Sequence, residues 1–276
     1  MNTAASLRDI AGNLVLVGAG KMGAAMLDGW AARGIDIGRV VVIEPQPSLQ
    51  VSRYLPQGLR LNPADKTLRA GAIVVAVKPQ SAVEVLPALT PLVDPSTVVI
   101  SIMAGRKLAM LEAAFPANTA IVRTMPNTPA AIGRGITVAV PNPRVTPPQR
   151  QLAERLLAAI GAVEWISDEG LMDAVTAVSG SGPAYVFLLA ECMAKAGVAA
   201  GLPADLAEKL ARATVAGSGE LLHLSPEDAA TLRKNVTSPG GTTSAALDVL
   251  MSRESLERLM KDAIAAATRR SRELGG

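Results

Sequence analysis

Six residues near the start constrain this chain most: Gly18-Ala19-Gly20-Lys21-Met22-Gly23. They follow an apolar run, Leu14 to Val17, and open a segment of helical period, Lys21 to Arg33, with Gly34 suited to its end. In a G-x-G-x-x-G loop of this kind each glycine has a mechanical task. Gly18 permits the tight turn, Gly20 lets a pyrophosphate approach the backbone, and Gly23 allows the helix to pack closely on the strand. The helix N-terminus then presents N–H groups and a positive dipole end to the phosphates. A glycine-rich turn that merely packs a helix on a sheet is the competing reading. The strand–loop–helix context favours dinucleotide binding, as does Glu44, which ends the next strand 21 residues after Gly23. That is close to the spacing of an acid that bonds an adenosine ribose; a solvated loop carboxylate is the alternative.

The residues that follow continue the pattern. Val40 to Ile43, Ala72 to Val77, Thr97 to Ile102, Thr119 to Arg123 and Ile136 to Val140 read as strands, with helical Ser81 to Leu89 and Leu108 to Ala114 between them. Continuous apolar runs suit strands buried on both faces of a mainly parallel sheet. Strand–helix alternation predicts an α/β, doubly wound fold. Val77-Lys78-Pro79 closes a strand at the carboxyl edge, where ligands bind in open sheets; Lys78 either faces such a ligand or is a solvated strand end. Strand signal ends near Trp165. Gly170 to Val178, Pro183 to Ala199, Pro203 to Leu224, Pro226 to Asn235 and Ser244 to Leu274 all read as helices, punctuated by Pro and Gly. The expected division is 1–166, dinucleotide-binding, and 167–276, all helical.

Two stretches of the helical half are richer in glycine than a connection requires. Ser179-Gly180-Ser181-Gly182-Pro183-Ala184-Tyr185 opens a long helix, with Ser181 or Gly182 as N-cap and Pro183 at its first position. Ser238-Pro239-Gly240-Gly241-Thr242-Thr243 bares backbone and offers hydroxyls before the last helical segment, a combination that can cradle a carboxylate. A plain helix cap explains part of each motif. Hydrophobic residues make up 49% of the 276, aromatics 2%, and the net charge is +3 with no basic run, which argues against a nucleic-acid-binding surface. The single cysteine, Cys192, excludes an internal disulfide and reads as a small buried hydrophobe. His223, the only histidine, sits at a helix end and reads as a capping or surface residue. No metal-ligand spacing and no G-x-S-x-G is present. The N-terminus resembles neither a secretory signal nor a transit peptide, and no uninterrupted apolar run reaches the ~18 residues that span a bilayer. A cytoplasmic location is therefore expected.

Taken together, the motifs resemble pyrroline-5-carboxylate reductases over nearly the whole chain. The residues that carry the resemblance are the Gly18–Gly23 loop, Val77-Lys78-Pro79-Gln80, Met125-Pro126-Asn127-Thr128-Pro129, Asp173-Ala174-Val175-Thr176, and the stretches from Ser179 and Ser238. The resemblance implies reduction of a cyclic imino acid, 1-pyrroline-5-carboxylate, to L-proline with NADPH or NADH. It implies an N-terminal Rossmann domain and a C-terminal helical domain that interlocks with a second subunit into a homodimer, with larger rings of dimers known in the family. The cofactor residues it implies are Gly18, Gly20, Lys21, Met22, Gly23, Glu44, Val77, Lys78, Pro79, Met103, Ala104 and Asn127. Ser238, Gly240, Gly241, Thr242 and Thr243 are implied to bind substrate. The Gly240-Gly241-Thr242 backbone is expected to hold the carboxylate, and Thr243, the catalytic candidate, to bond the ring nitrogen, in a position to act from the partner subunit. A β-hydroxyacid dehydrogenase shares a similar loop, but it places a lysine early in the central helix. Here that position is Val186 and the first helix lysine is Lys195. A nucleotide sensor that kept the first domain and lost catalysis is the non-enzymatic alternative; the intact Ser238–Thr243 loop argues against it.

Overall fold

The computed structural model describes residues 6–10, 12–65, 67–252 and 256–275. It divides into two compact units, one of 1–180 with 268–276 and one of 181–267.

The first unit is an eight-stranded sheet between helices. Its strands are β1 (Asn13–Val17), β2 (Val40–Ile43), β3 (Arg60–Leu61), β4 (Ala70–Val75), β5 (Val98–Ser101), β6 (Ala120–Met125), β7 (Gly135–Pro141) and β8 (Gly161–Trp165). They lie in the order β3-β2-β1-β4-β5-β6-β7-β8. Neighbours are parallel except β6 and β7. The doubly wound, mainly parallel α/β fold expected from the sequence is present.

Strand residues alternate between two cores, as their period of two requires. Leu14, Leu16, Val40, Val42, Ala72, Val74, Val98 and Ile100 enter one core, with Met26, Leu27 and Trp30 of α1 (Lys21–Ala32). Leu156 and Leu157 join them from a helix at Pro147–Ala158. Val15, Val17, Val41, Ile73, Val75 and Val99 enter the other. There they meet Leu86 and Leu89 of Ala82–Leu89 and Leu111 of Leu108–Ala114. Trp30 is fully buried, and its indole N–H donates to the Leu156 carbonyl at 2.9 Å, so the largest side chain of this core is also satisfied.

Residues 167–180, assigned to the helical half from sequence, pack with the sheet. Met172 is buried against Val138 and Val140 of β7. The expected helix Gly170 to Val178 is instead a short helix, Met172–Val175, running into a π-turn, Thr176–Gly180. The end of the last helix also belongs here: the Ser271 hydroxyl donates to the Asp173 carboxylate at 2.6 Å.

The second unit is helical throughout its regular structure. It contains Gly182–Ala199, Ala204–Leu224, Ala229–Asn235, Thr242–Leu250 and the first part of Leu256–Gly275. The single helix expected over Ser244 to Leu274 is two, parted at Met251 and Ser252. The first two helices pack side by side through small residues, where a Cβ added to Gly197 would lie 3.2 Å from that of Ala207. Among the described residues Ala207 and Ala211 are the buried hydrophobics of this unit, while Phe187, Leu188, Leu221 and Leu222 are each more than half exposed. The same bareness overturns one expectation: Cys192, read as buried, is exposed, because none of the described residues covers it. By length and composition the stretch Glu169–Ala199 is long and apolar enough to cross a membrane. It is interrupted at the π-turn and carries the Glu191–Lys195 ion pair.

Candidate active site

The chain leaves β1 toward β2 on one side, and β4 lies on the other. Between the carboxyl ends of β1 and β4 the connections part, which is where open α/β sheets bind ligands. A cavity of about 320 Å³ lies there, lined from four successive strand ends. Gly20, Lys21 and Met22 follow β1; Ala76, Val77, Lys78 and Pro79 follow β4; Ile102, Met103 and Ala104 follow β5; Met125 and Pro126 close β6.

The three loop glycines differ in what surrounds them. Gly18 has φ +85°, and a Cβ there would lie 2.7 Å from the Ala76 carbonyl oxygen. A Cβ on Gly23 would meet the Gly18 carbonyl oxygen at 2.4 Å, so helix and loop touch through bare backbone. At Gly20 a Cβ would meet nothing within 4 Å. Gly20 is the N-cap of α1 and lines the cavity, so its missing side chain leaves space beside the first-turn amides of the helix. A helix N-terminus left open in this way offers N–H donors and a positive dipole end to an anion.

Glu44 turns its carboxylate back to this loop. One oxygen accepts the Ala19 N–H at 2.8 Å and the other the Gln46 N–H at 3.0 Å. Each carboxylate oxygen retains capacity for a further donor, such as a ribose hydroxyl. The Lys78-Pro79 wall is pinned from outside: Arg106 donates to the Pro79 carbonyl through Nε at 3.0 Å and Nη2 at 2.7 Å. Met103 is buried, and its N–H donates to Ser101 Oγ at 3.3 Å.

Asn127 is not among the lining residues. Its side-chain Oδ1 accepts the Ile136 N–H at 2.9 Å and its side-chain Nδ2 donates to the Ser179 carbonyl at 3.3 Å. It thus ties the segment after β6 to the π-turn. Ala76, Ile102, Met125 and Pro126 line the cavity and were missed from sequence. Their common signal is position, each standing at or just after the carboxyl end of a central strand.

In the second unit Ser238, Gly240, Gly241, Thr242 and Thr243 form one turn and the helix start that follows it. Gly240 has φ +69°, and the Gly241 N–H donates to the Ser238 carbonyl at 3.0 Å. Gly241 is the N-cap of Thr242–Leu250. Its own amide is occupied by the turn, so donors for an anion are the first-turn amides beyond it, from Thr242, Thr243 and Ser244. The long helix opens with Ser181 as N-cap and Pro183 at its second position, one place later than expected. His223 is exposed in the last turn of its helix. Lys195 donates to Glu191 at 2.6 Å, and this hydrogen bond, with the carboxylate's charge, raises the ammonium above its ordinary pKa. A cation held that way is a poor general acid or base near neutrality. Among the described residues no group of three His, Cys, Asp or Glu side chains is placed to hold a metal ion.

Fold, glycine loop and strand-end cavity define a nicotinamide-dinucleotide oxidoreductase of the two-domain kind. Residues 13–105 match the family model described as NADP oxidoreductase, coenzyme F420-dependent, and residues 169–274 match that described as pyrroline-5-carboxylate reductase dimerisation. The chain is 36% identical to the pyrroline-5-carboxylate reductase of Pseudomonas aeruginosa, over 95% of this chain and 96% of that one. The solved pyrroline-5-carboxylate reductase of Coxiella burnetii superposes with a TM-score of 0.88 at 34% identity, covering 97% of this chain and all of that one. The Plasmodium falciparum pyrroline carboxylate reductase, solved with NADP bound, has a TM-score of 0.80 at 31% identity, covering 96% and 98%. The chain belongs to the pyrroline-5-carboxylate reductase family.

Proposed function

We propose that this chain reduces 1-pyrroline-5-carboxylate to L-proline by hydride transfer from NADPH or NADH, the last step of proline biosynthesis, in the cytoplasm. The observation that carries the reading is the cavity at the strand-order switch, with the open face of Gly20 at its phosphate end. When bound there, a reduced nicotinamide supplies the hydride. In this reading Gly18, Gly20, Lys21, Met22 and Gly23 hold the pyrophosphate, Glu44 the adenosine ribose, and Val77, Lys78, Pro79, Met103, Ala104 and Asn127 the nicotinamide side. Asn127 acts there through the Ile136 and Ser179 backbone it ties together.

Residues 167–276 are taken as the dimerisation and substrate region, which agrees with the match to the dimerisation model over 169–274. Ser238, Gly240, Gly241, Thr242 and Thr243 bind the imino acid, the amides after Gly241 taking its carboxylate. The Thr243 hydroxyl positions the ring nitrogen, from either subunit of a homodimer; a ring of such dimers is the larger assembly this reading admits. A protonated imine already carries positive charge at the reacting C=N bond, and hydride delivery neutralises it. No strong general acid is needed, and none stands among the residues assigned to the imino acid. Orientation of two bound reactants can supply ~7–11 kcal/mol of the acceleration.

Thr243→Ala is expected to lower kcat/KM for the imine by roughly one to two decades, since a hydrogen bond to a charged group contributes about 1.5–3 kcal/mol. Steady-state rates on a variant with unchanged thermal unfolding check this; parental efficiency would reduce Thr243 to a helix cap. The proposal as a whole is tested by the loss of reduced-nicotinamide absorbance with pyrroline-5-carboxylate. Tight dinucleotide binding without turnover would favour the sensor reading instead.

A further inference from the structure

Asn62 is the one non-glycine residue among the described residues whose backbone lies in the left-handed region, with φ +46°. Asparagine tolerates that region better than most side chains because its short amide can bond locally. Here the amide does something particular. Its carbonyl oxygen accepts the Glu44 N–H at 2.9 Å, and its NH₂ donates to the Glu44 carbonyl at 2.8 Å. The Asn62 backbone N–H donates to the Val42 carbonyl at 2.8 Å, continuing the β2–β3 ladder beyond the Val42–Leu61 pair. A two-residue strand is thereby extended by a side chain that imitates one more rung. The residue held by that rung is Glu44, whose carboxylate bonds the glycine loop.

Without the clamp, the segment after Ile43 would have no partner on its β3 side for the Glu44 backbone. The carboxylate could then turn into solvent, because its contacts to the Ala19 and Gln46 amides hold only while its own backbone keeps its place. We infer that Asn62 is a positioning residue for cofactor selectivity: by fixing the Glu44 backbone it holds a carboxylate where a ribose 2′-hydroxyl is bonded and a 2′-phosphate is repelled. This rests on the assignment of Glu44 to the adenosine ribose.

The test compares kcat/KM for NADH and NADPH, with the imine saturating, in the parent, Asn62→Gly, Asn62→Ser and Glu44→Ser. Glycine keeps the left-handed backbone accessible and removes the clamp; serine is too short to reach both main-chain groups of Glu44. Both Asn62 variants are expected to lower the NADH-to-NADPH ratio about tenfold, the loss of one good hydrogen bond at the ribose. The change should lie in the KM for NADH, with kcat near the parent's. A merely structural role would lower stability and both efficiencies together. If Glu44→Ser shifts the ratio and neither Asn62 variant does, the clamp is overturned and the Glu44 assignment stands. If Glu44→Ser leaves the ratio unchanged, the assignment falls and the inference falls with it.

Discussion

Gly20→Val should leave the protein folded and reduce its affinity for reduced nicotinamide dinucleotides at least about a hundredfold, the equivalent of ~2.7 kcal/mol. The expectation follows from what each loop glycine faces. At Gly20 an added Cβ meets nothing, and the backbone, at φ −64° and ψ −167°, suits any residue. The fold therefore has little reason to object beyond a weaker helix cap, ~1 kcal/mol. The space taken is that assigned to the pyrophosphate, whose charge-assisted hydrogen bonds contribute about 1.5–3 kcal/mol each. Gly23→Ala provides the contrast. Its methyl would fall 2.4 Å from the Gly18 carbonyl oxygen, so helix and loop must separate and stability should drop first. Fluorescence titration of the cofactor beside thermal unfolding distinguishes the two. A Gly20→Val variant that binds normally would place the phosphates elsewhere.

Phe187→Glu is expected to convert the dimer to inactive monomers at assay concentrations. Phe187 is 67% exposed within its own chain, on a helix with no buried residue of its own. Its neighbours Val186, Leu188 and Leu189 are exposed as well, and they lie within the segment that matches the dimerisation model. A two-fold interface presents each substitution twice. Losing Phe burial at 1.5–3 kcal/mol per copy, and adding a carboxylate to an apolar contact, amounts to on the order of 6 kcal/mol, about four decades in Kd. Sedimentation with activity measured across the same dilution series checks it. A fully active monomer would contradict the assignment of this surface.

Much of the first unit was legible because its strands are buried on both faces. Val40–Ile43 and Leu108–Ala114 fall where the sequence places them, and the other expected strands differ by a residue or two at their ends. The elements that escaped are of three physical kinds. Arg60–Leu61 is too short to show a period. Gly161–Trp165 is an edge strand whose alternation includes Glu164, so it lacks the continuous apolar run of its neighbours. The helix Pro147–Ala158 announces itself only through Thr146 and Gln149, whose side-chain oxygen accepts the Thr146 N–H at 2.9 Å in a capping box. Among residues at and beside the cavity the glycines were readable because a tight turn and a close helix approach each demand the absence of a side chain. Ala76 and Ile102 were not, since an alanine or isoleucine beside a ligand looks no different from one in a core. Asn62 was hidden for another reason: its role depends on a left-handed backbone that no local pattern marks.

The central claim is hydride transfer to the C=N carbon of a cyclic imino acid. It is tested most directly with nicotinamide dinucleotide carrying deuterium at the transferring position, pyrroline-5-carboxylate as acceptor, and mass and NMR analysis of the product. The account predicts L-proline with one deuteron on the ring carbon that was double-bonded to nitrogen, formed one for one with oxidised cofactor. No oxidation of the cofactor, or proline without the label at that carbon, would contradict it.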